Sequence, residues 1–261
     1  MLPRRKLLAG APDVAALEPV IAAAQEALRT WQPVRTPFLA AAVREQAEAC
    51  LGSLSELALH SDGGHGGAER RQLVLQRTDC SLDPVDLPQE LGGLDVSGNF
   101  LFDPAEPSDV RSALEAAGAE PGELGDIWMR GDRGAQVIAT AALAGRLHGS
   151  TAQVRTVPVE LTARPLGELQ LPAQRAIKRL TSVEASLRLD ALASAGFGVS
   201  RSRMAELIRQ GAVRINWNPV SSPSRALAVG DRVQLEGKGE LLVEELALTK
   251  RDRWRVTLMR R

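Results

Sequence analysis

Residues 200–216 read SRSRMAELIRQGAVRIN, and the way this run folds decides the architecture of the last third of the chain. Ser200 suits a helix N-cap, because its hydroxyl can accept from an amide of the first turn. Met204, Ala205, Leu207 and Ile208 follow at the spacing of a buried helical stripe, and Gly211 is a residue that stops a helix. Arg201 and Arg203 fall in the first turn, where the macrodipole is already positive and acidic residues are favoured. Departures from a local rule concentrate at functional sites. Helix-start amides with two guanidinium forks suit a phosphate, against the plainer reading of two solvated arginines.

The flanking sequence extends the pattern. Upstream, EASLRLDALASAGFG (184–198) places Leu189, Leu192 and Ala193 on one helical face and ends in Gly196 and Gly198, which predicts a first helix and a tight turn. Downstream, AVRINWNPVSSPSRALAVGDRVQLEG (212–237) alternates short β-prone runs with turn residues, which predicts a small sheet. Two helices followed by a sheet, carrying RLDALASAGFGVSRSRMAELIRQGAVRIN, PSRALAVGDRV and Gly237-Lys238-Gly239, closely resemble the RNA-binding module first named after protein S-four of the small ribosomal subunit. That family usually has Val-Asn-Gly where this chain has Ile215-Asn216-Trp217, so the turn after Asn216 is expected to be built differently. Trp217 either offers a ring for base stacking or packs over its own hairpin.

The chain of 261 residues, 44% hydrophobic and 25% charged, has the composition of a soluble globular protein of two or three domains. Its net charge is zero, but residues 175–261 hold 17 Lys+Arg against 9 Asp+Glu, whereas residues 1–174 hold 15 against 23. Such asymmetry marks the basic side for a polyanion and keeps the acidic side off it. Cys50 and Cys80 form no CxxC pair, which predicts free thiols. The opening MLPRRKLLAGAP is too short in apolar residues for a signal peptide, and no run reaches 18 apolar residues, so a cytoplasmic protein without membrane insertion is expected.

The N-terminal region, 1–91, reads as a helix over Asp13–Trp31, a second helix opened by Thr36-Pro37 and running to Leu54, and two strands, SELALH and RQLVLQR, joined by SDGGHGGAER. The loop glycines Gly63, Gly64, Gly66 and Gly67 allow positive φ, and no Gly-Lys-Ser/Thr ending follows for nucleotide phosphates. His60, His65 and His148 stand in no zinc or metalloprotease spacing, so no metal is expected. The middle region, 92–173, reads as strand GLDVSGNFLF, a helix capped by Ser108, strands GDIWMR and GAQVIAT, helix AALAGRLHG and strand TAQVRTVPVEL. This βαββαβ order predicts a ferredoxin-like, RRM-like domain. It lacks the RNP aromatic signature and holds 6 Lys+Arg against 11 Asp+Glu, so it is expected to act as a scaffold or protein contact. The third region, 174–261, opens with the connector AQRAIKRLTSV and closes with TKRDRWRVTLMRR, a strand with Trp254, Val256 and Leu258 on one face and Arg253 and Arg255 on the other. The expected fold class is therefore α+β, in three domains.

GGHGGAERR, ELGDIWMRGDRGAQVIATAALAGRLHG and TVPVEL also resemble, in order, a bacterial RNA-binding family found near cell-division genes. Its cyanobacterial members are labelled photosystem II S-four domain proteins. The resemblance implies an interaction surface fixed or flanked by Glu69, Arg70 and Arg71, and an aromatic commonly replaces His65 there. Many relatives carry a Thr-His-Arg-Asp-like opening before the first middle helix, where this chain has FDPAEPSD. It further implies binding to structured ribosomal RNA or a ribosome–tRNA complex, with the large subunit as partner and ribosomal proteins as further contacts, and with no cofactor. On this reading Arg201, Arg203 and the helix-start amides hold phosphates, with Arg188, Arg209, Arg214 and Arg225 bordering them. Ser200 and Ser202 donate to phosphate or 2′-hydroxyl oxygens, Asn216 and Trp217 meet a splayed base, and Gly211 ends the helix so that Arg214 is directed correctly. Two other readings compete. Arg188-Leu189-Asp190 superficially resembles the catalytic triplet of a pseudouridine synthase, but no catalytic domain follows it, and no GxGxxG, HIGH- or KMSKS-like signature precedes it. A non-enzyme is expected. The photosystem label suggests an assembly factor acting through protein contacts.

Overall fold

A computed structural model describes residues 2–9, 13–80, 90–172, 177–235 and 238–261. The chain divides into two compact units, 1–172 and 173–261.

The first unit begins with helices α1 (Arg4–Leu8), α2 (Val14–Thr30) and α3 (Ala41–Leu51) and strands β1 (Val34–Arg35), β2 (Leu57–Asp62) and β3 (Gln72–Arg77). Asp13 caps α2 by accepting from Ala16 N, and Trp31 closes it in the left-handed region. The strands form an antiparallel sheet in the order β1-β3-β2. Leu17, Ile21 and Ala24 of α2 and Leu51 of α3 pack with Leu73 and Leu75 of β3. Thr36 does not cap a helix. Its buried hydroxyl accepts from Leu73 N and donates to Pro37 O, continuing the β1 edge, and α3 starts five residues later.

A second sheet follows, from β4 (Leu91–Ser97), β5 (Leu124–Met129), β6 (Gly134–Thr140), β7 (Thr151–Val154) and β8 (Val157–Arg164), with α4 (Pro107–Ala116) and α5 (Ala141–Leu147) as connections. All neighbours are antiparallel, in the order β5-β6-β4-β8-β7. Leu94 and Val96 of β4, Val110 and Leu114 of α4, and Leu143 of α5 share its core. The N-cap of α4 is Glu106, followed by Pro107 and closed by a reciprocal capping box with Asp109, so Ser108 lies inside the helix. The run TAQVRTVPVEL is a hairpin, not one strand, and turns at Arg155 with φ 54°.

The glycine-rich loop joins these two sheets. Asp126 of β5 accepts from Glu69 N at 2.8 Å and Arg70 N at 2.9 Å. The Arg70 side chain donates to the carbonyls of Leu124, Phe38 and Pro121, and that of Arg71 to Ala68 and Gly66. Burial, and then the neighbouring Arg111, push the Arg70 guanidinium below its usual value. His65 accepts from Gly67 N through Nδ1 and meets Trp128 edge-on at 6.4 Å. Its buried Nε2 lies 3.4 Å from Asp126 Oδ2 but outside hydrogen-bonding geometry. The loop is thus an internal clamp: Arg70 and Arg71 are spent on carbonyls, and His65 is enclosed instead of presenting its ring outward.

The second unit contains β9 (Lys178–Glu184), α6 (Leu189–Phe197), α7 (Arg201–Arg209), β10 (Val213–Ile215), β11 (Asn218–Pro219), β12 (Arg232–Leu235), β13 (Gly239–Leu248) and β14 (Trp254–Arg260). The expected connector is largely β9, an edge strand pairing with β14, while its first residues and Gly237 lie outside the described residues. The sheet order is β11-β10-β12-β13-β14-β9. Leu189, Leu192, Phe197, Met204 and Ile208 of the two helices pack with Val213, Val233, Val243 and Val256 of the sheet.

Candidate nucleic-acid interface

Helix α7 starts as its sequence dictates. Ser200 Oγ accepts from Arg203 N at 3.3 Å, and the first intrahelical bond runs from Met204 N to Ser200 O. The amides of Arg201 and Ser202 therefore precede the helical ladder. At the other end Gly211, at φ +79°, lets Gly211 N and Ala212 N close on Ile208 O and Leu207 O. Gly211 acts through its backbone alone.

The two helices meet at one carboxylate. Asp190, in the first turn of α6 and 5% exposed, accepts from Arg188 Nε at 3.0 Å and Nη2 at 2.9 Å, and from Arg201 Nη2 at 3.2 Å. The arginine side chains remain 41% and 55% exposed, so Asp190 sits beneath them and fixes where their outer N–H groups point. Burial alone would raise the Asp190 pKa. The hydrogen bonds from Arg188 and Arg201 outweigh it and hold the carboxyl below the usual range. A carboxylate lowered in this way stabilises the fold above its unfolded pKa and loses that contribution as pH falls through the folded value. Asp190→Asn should therefore cost roughly 1–2 kcal/mol at neutral pH, the low end for charged hydrogen bonds because both partners are half-exposed. Urea titrations of wild type and variant across pH should converge once pH drops below the carboxylate range; a constant difference down to acid would show that Asp190 acts through packing instead.

The other residues of the expected surface divide. Arg225 adjoins the start of α6 through its backbone: its carbonyl accepts from Leu189 N at 2.7 Å, and Arg188 bridges to Ala226. Arg203 is on the same turn, ion-paired to the exposed Glu206 at 2.7 Å. Ser202 Oγ lies 3.3 Å from Ser200 Oγ. Arg209 is at the opposite end of α7, about 12 Å from Arg201 along the axis at 1.5 Å per residue. Arg214 lies between buried Val213 and Ile215 and so occupies the sheet face away from the helices. Asn216 is held against the start of β12. Its amide nitrogen donates to Asp231 at 2.8 Å, and its oxygen accepts from Arg232 N at 2.9 Å.

Asn216 and Trp217, at φ 49° and 69°, form a two-residue turn closed by the Ile215–Asn218 pair. Two positive φ values are those of a type I′ hairpin, so the turn keeps the geometry that Asn-Gly favours, with tryptophan in the glycine position. Trp217 is half-buried, with the Arg232 guanidinium 5.4 Å over its ring and its own amide bonded to Gln234 Oε1, so it packs on its own hairpin.

Arg188 and Arg201 thus form a basic edge organised by Asp190, with Ser200, Ser202 and Arg203 in the same turn of α7 and the Arg225 backbone against Leu189. Residues 187–233 match the S4 domain, and residues 13–80 match the YlmH N-terminal domain. Among individual proteins, the chain is 29% identical over 207 residues to the ribosome-associated protein quality control protein P2 of Bacillus subtilis (strain 168), covering 79% of each. The cell division protein ylmH from Streptococcus pneumoniae superposes with a TM-score of 0.46 at 18% identity, over 59% of this chain and 91% of that one. Among the described residues no His, Cys, Asp and Glu group could hold a metal, and no helix is long and apolar enough to cross a membrane.

Proposed function

We propose that the second unit binds folded RNA through the Arg188–Asp190–Arg201 edge, and that the protein works as a ribosome-associated, non-catalytic factor in the cytoplasm. The observation that carries this reading is the convergence of two half-exposed arginines on one buried carboxylate beside the open start of α7, inside the segment that matches the S4 domain. Guanidinium forks held from beneath reach phosphate oxygens with little further loss of side-chain freedom. The relation to a ribosome-associated quality control protein supports the large ribosomal subunit as partner, with structured ribosomal RNA or bound tRNA as the contact. A binding role also fits Asp190, because both of its oxygens are engaged by arginines. In the first unit, the order β5-β6-β4-β8 supports a ferredoxin-like sheet to which the hairpin adds β7, a scaffold on the acidic side of the chain.

Purified large subunits test the reading by co-sedimentation over a salt series. With about four phosphates neutralised, log affinity should fall against log salt with a slope near −3 to −4. A salt-independent affinity, or sedimentation with membranes and not subunits, would remove it, the latter in favour of the photosystem-assembly reading.

A further inference from the structure

The long hairpin of β13 and β14 carries a cluster that lies outside the two helices and outside the S4-domain match. Its tip reads Thr249-Lys250-Arg251-Asp252-Arg253, followed by Trp254 and Arg255. Thr249 N donates to Arg253 O at 2.7 Å, Arg253 N to Thr249 Oγ1 at 3.1 Å, and Asp252 N to Thr249 O at 3.1 Å. The tip is therefore a closed loop with a defined shape. Lys250, Arg251, Arg253 and Arg255 are all exposed, and among the described residues none has a side-chain ion pair. The arginines of the helix edge differ: Arg188 and Arg201 share Asp190, and Arg203 has Glu206. Four cations in six residues, offset by one aspartate, repel one another in the free protein.

Chain connectivity sets the distance to the helix edge. Trp254 pairs directly with Glu184 of β9, and Arg188 follows Glu184 by four residues. Four residues span at most about 14 Å, and a cross-strand pair adds about 5 Å, so Arg188 and Trp254 lie within about 20 Å of each other. Trp254 is half-buried and packed against the core, so it is not offered as a base-stacking ring beside those cations. The tip offers cations suited to the phosphates of a nucleic acid, without a stacking ring.

We infer that the β13–β14 tip is a second phosphate-binding site that acts with the helix edge on one base-paired RNA segment. This inference rests on the RNA-binding reading above. A duplex holds its phosphates at fixed positions across such a span, whereas a single strand has to be ordered on two separate contacts. The tip supplies uncompensated charge for attraction, and the helix edge supplies forks of fixed orientation.

The test is a salt series with the full-length protein and two labelled probes, an RNA stem-loop of about 20 base pairs and oligouridylate of the same length. The triple variant Lys250→Gln, Arg251→Gln, Arg253→Gln should bind the stem-loop roughly 10- to 100-fold more weakly near 0.1 M salt, with a slope shallower by about 2 to 3, and with its melting temperature unchanged. Loss of stem-loop binding with a smaller loss on oligouridylate supports the inference. An unchanged slope on the stem-loop overturns it while leaving the proposed function intact, provided that Arg201→Glu with Arg203→Glu still weakens binding. Equal losses on both probes overturn the duplex assignment. If neither variant changes binding, the RNA reading itself fails.

Discussion

Gly134→Ala should unfold the first unit under conditions in which the wild type is stable. Gly134 opens β6 at φ +132° and ψ −153°, a region essentially closed to side-chain-bearing residues. It pairs with Ser97, and a Cβ built on it would lie 1.9 Å from the carbonyl oxygen of Val96. That oxygen is backbone in the central β4–β6 ladder and the Cβ position is fixed by the Gly134 backbone, so neither can rotate away. Backbone strain and overpacking together should cost about 3–5 kcal/mol, a large part of the 5–15 kcal/mol that a domain has in total. Gly131→Ala, three residues away, is the control. Its φ is +65°, but nothing lies within 4 Å of the added carbon, so it should cost only the left-handed penalty of about 1–2 kcal/mol. Guanidinium titration with hydrogen exchange on the β4 and β6 amides reads the difference; equal losses for the two variants would show that space at Gly134 does not matter.

What the sequence disclosed divides by range. The Ser200 cap, the Met204 and Ile208 stripe and the Gly211 stop were legible because each is decided within one helix. The pairing of Arg188 and Arg201 through Asp190 was not. It depends on the crossing of α6 and α7, which brings together residues 11 apart, and no local pattern encodes that. The only hint was an acid between two arginine-bearing helix starts. Range also explains the hairpin of β7 and β8, which turns through Val154-Arg155-Thr156-Val157 without a glycine, asparagine or proline. The turn is held from outside by Asp103, which accepts from Thr156 Oγ1, Thr156 N and Arg155 Nε; these bonds, that of the Thr156 hydroxyl foremost, hold its carboxyl below the usual range. Trp217 shows the converse. Its chemistry disguised an ordinary two-residue turn, because the strand register and the bonds from Asn216 to Asp231 and Arg232 override the left-handed cost.

Reversing Arg201 and Arg203 together should lower RNA affinity by about 100- to 10,000-fold, since two charge-assisted contacts of roughly 1.5–3 kcal/mol each are lost. The two positions should not contribute equally. Arg203 pairs with Glu206, an exposed residue one turn on, so a glutamate at 203 meets a carboxylate that can swing into water. A glutamate at 201 would set a second carboxylate toward buried Asp190 in place of the guanidinium that now lies 3.2 Å from it. That repulsion would also disturb Arg188, which depends on the same carboxylate. Arg201→Glu alone should therefore exceed Arg203→Glu, and Arg201→Gln should fall between wild type and Arg201→Glu. Asp190→Asn separates orientation from charge. It makes the protein more positive by one unit, which by long-range attraction alone would tighten binding. If Asp190 orients the forks, affinity should instead fall about tenfold while the salt slope stays as steep, because the same phosphates are still approached but less well met. Fluorescence anisotropy on the stem-loop across a salt series decides it: tighter binding by Asp190→Asn, or a larger loss from Arg203→Glu than from Arg201→Glu, would show that the buried carboxylate does not organise the interface.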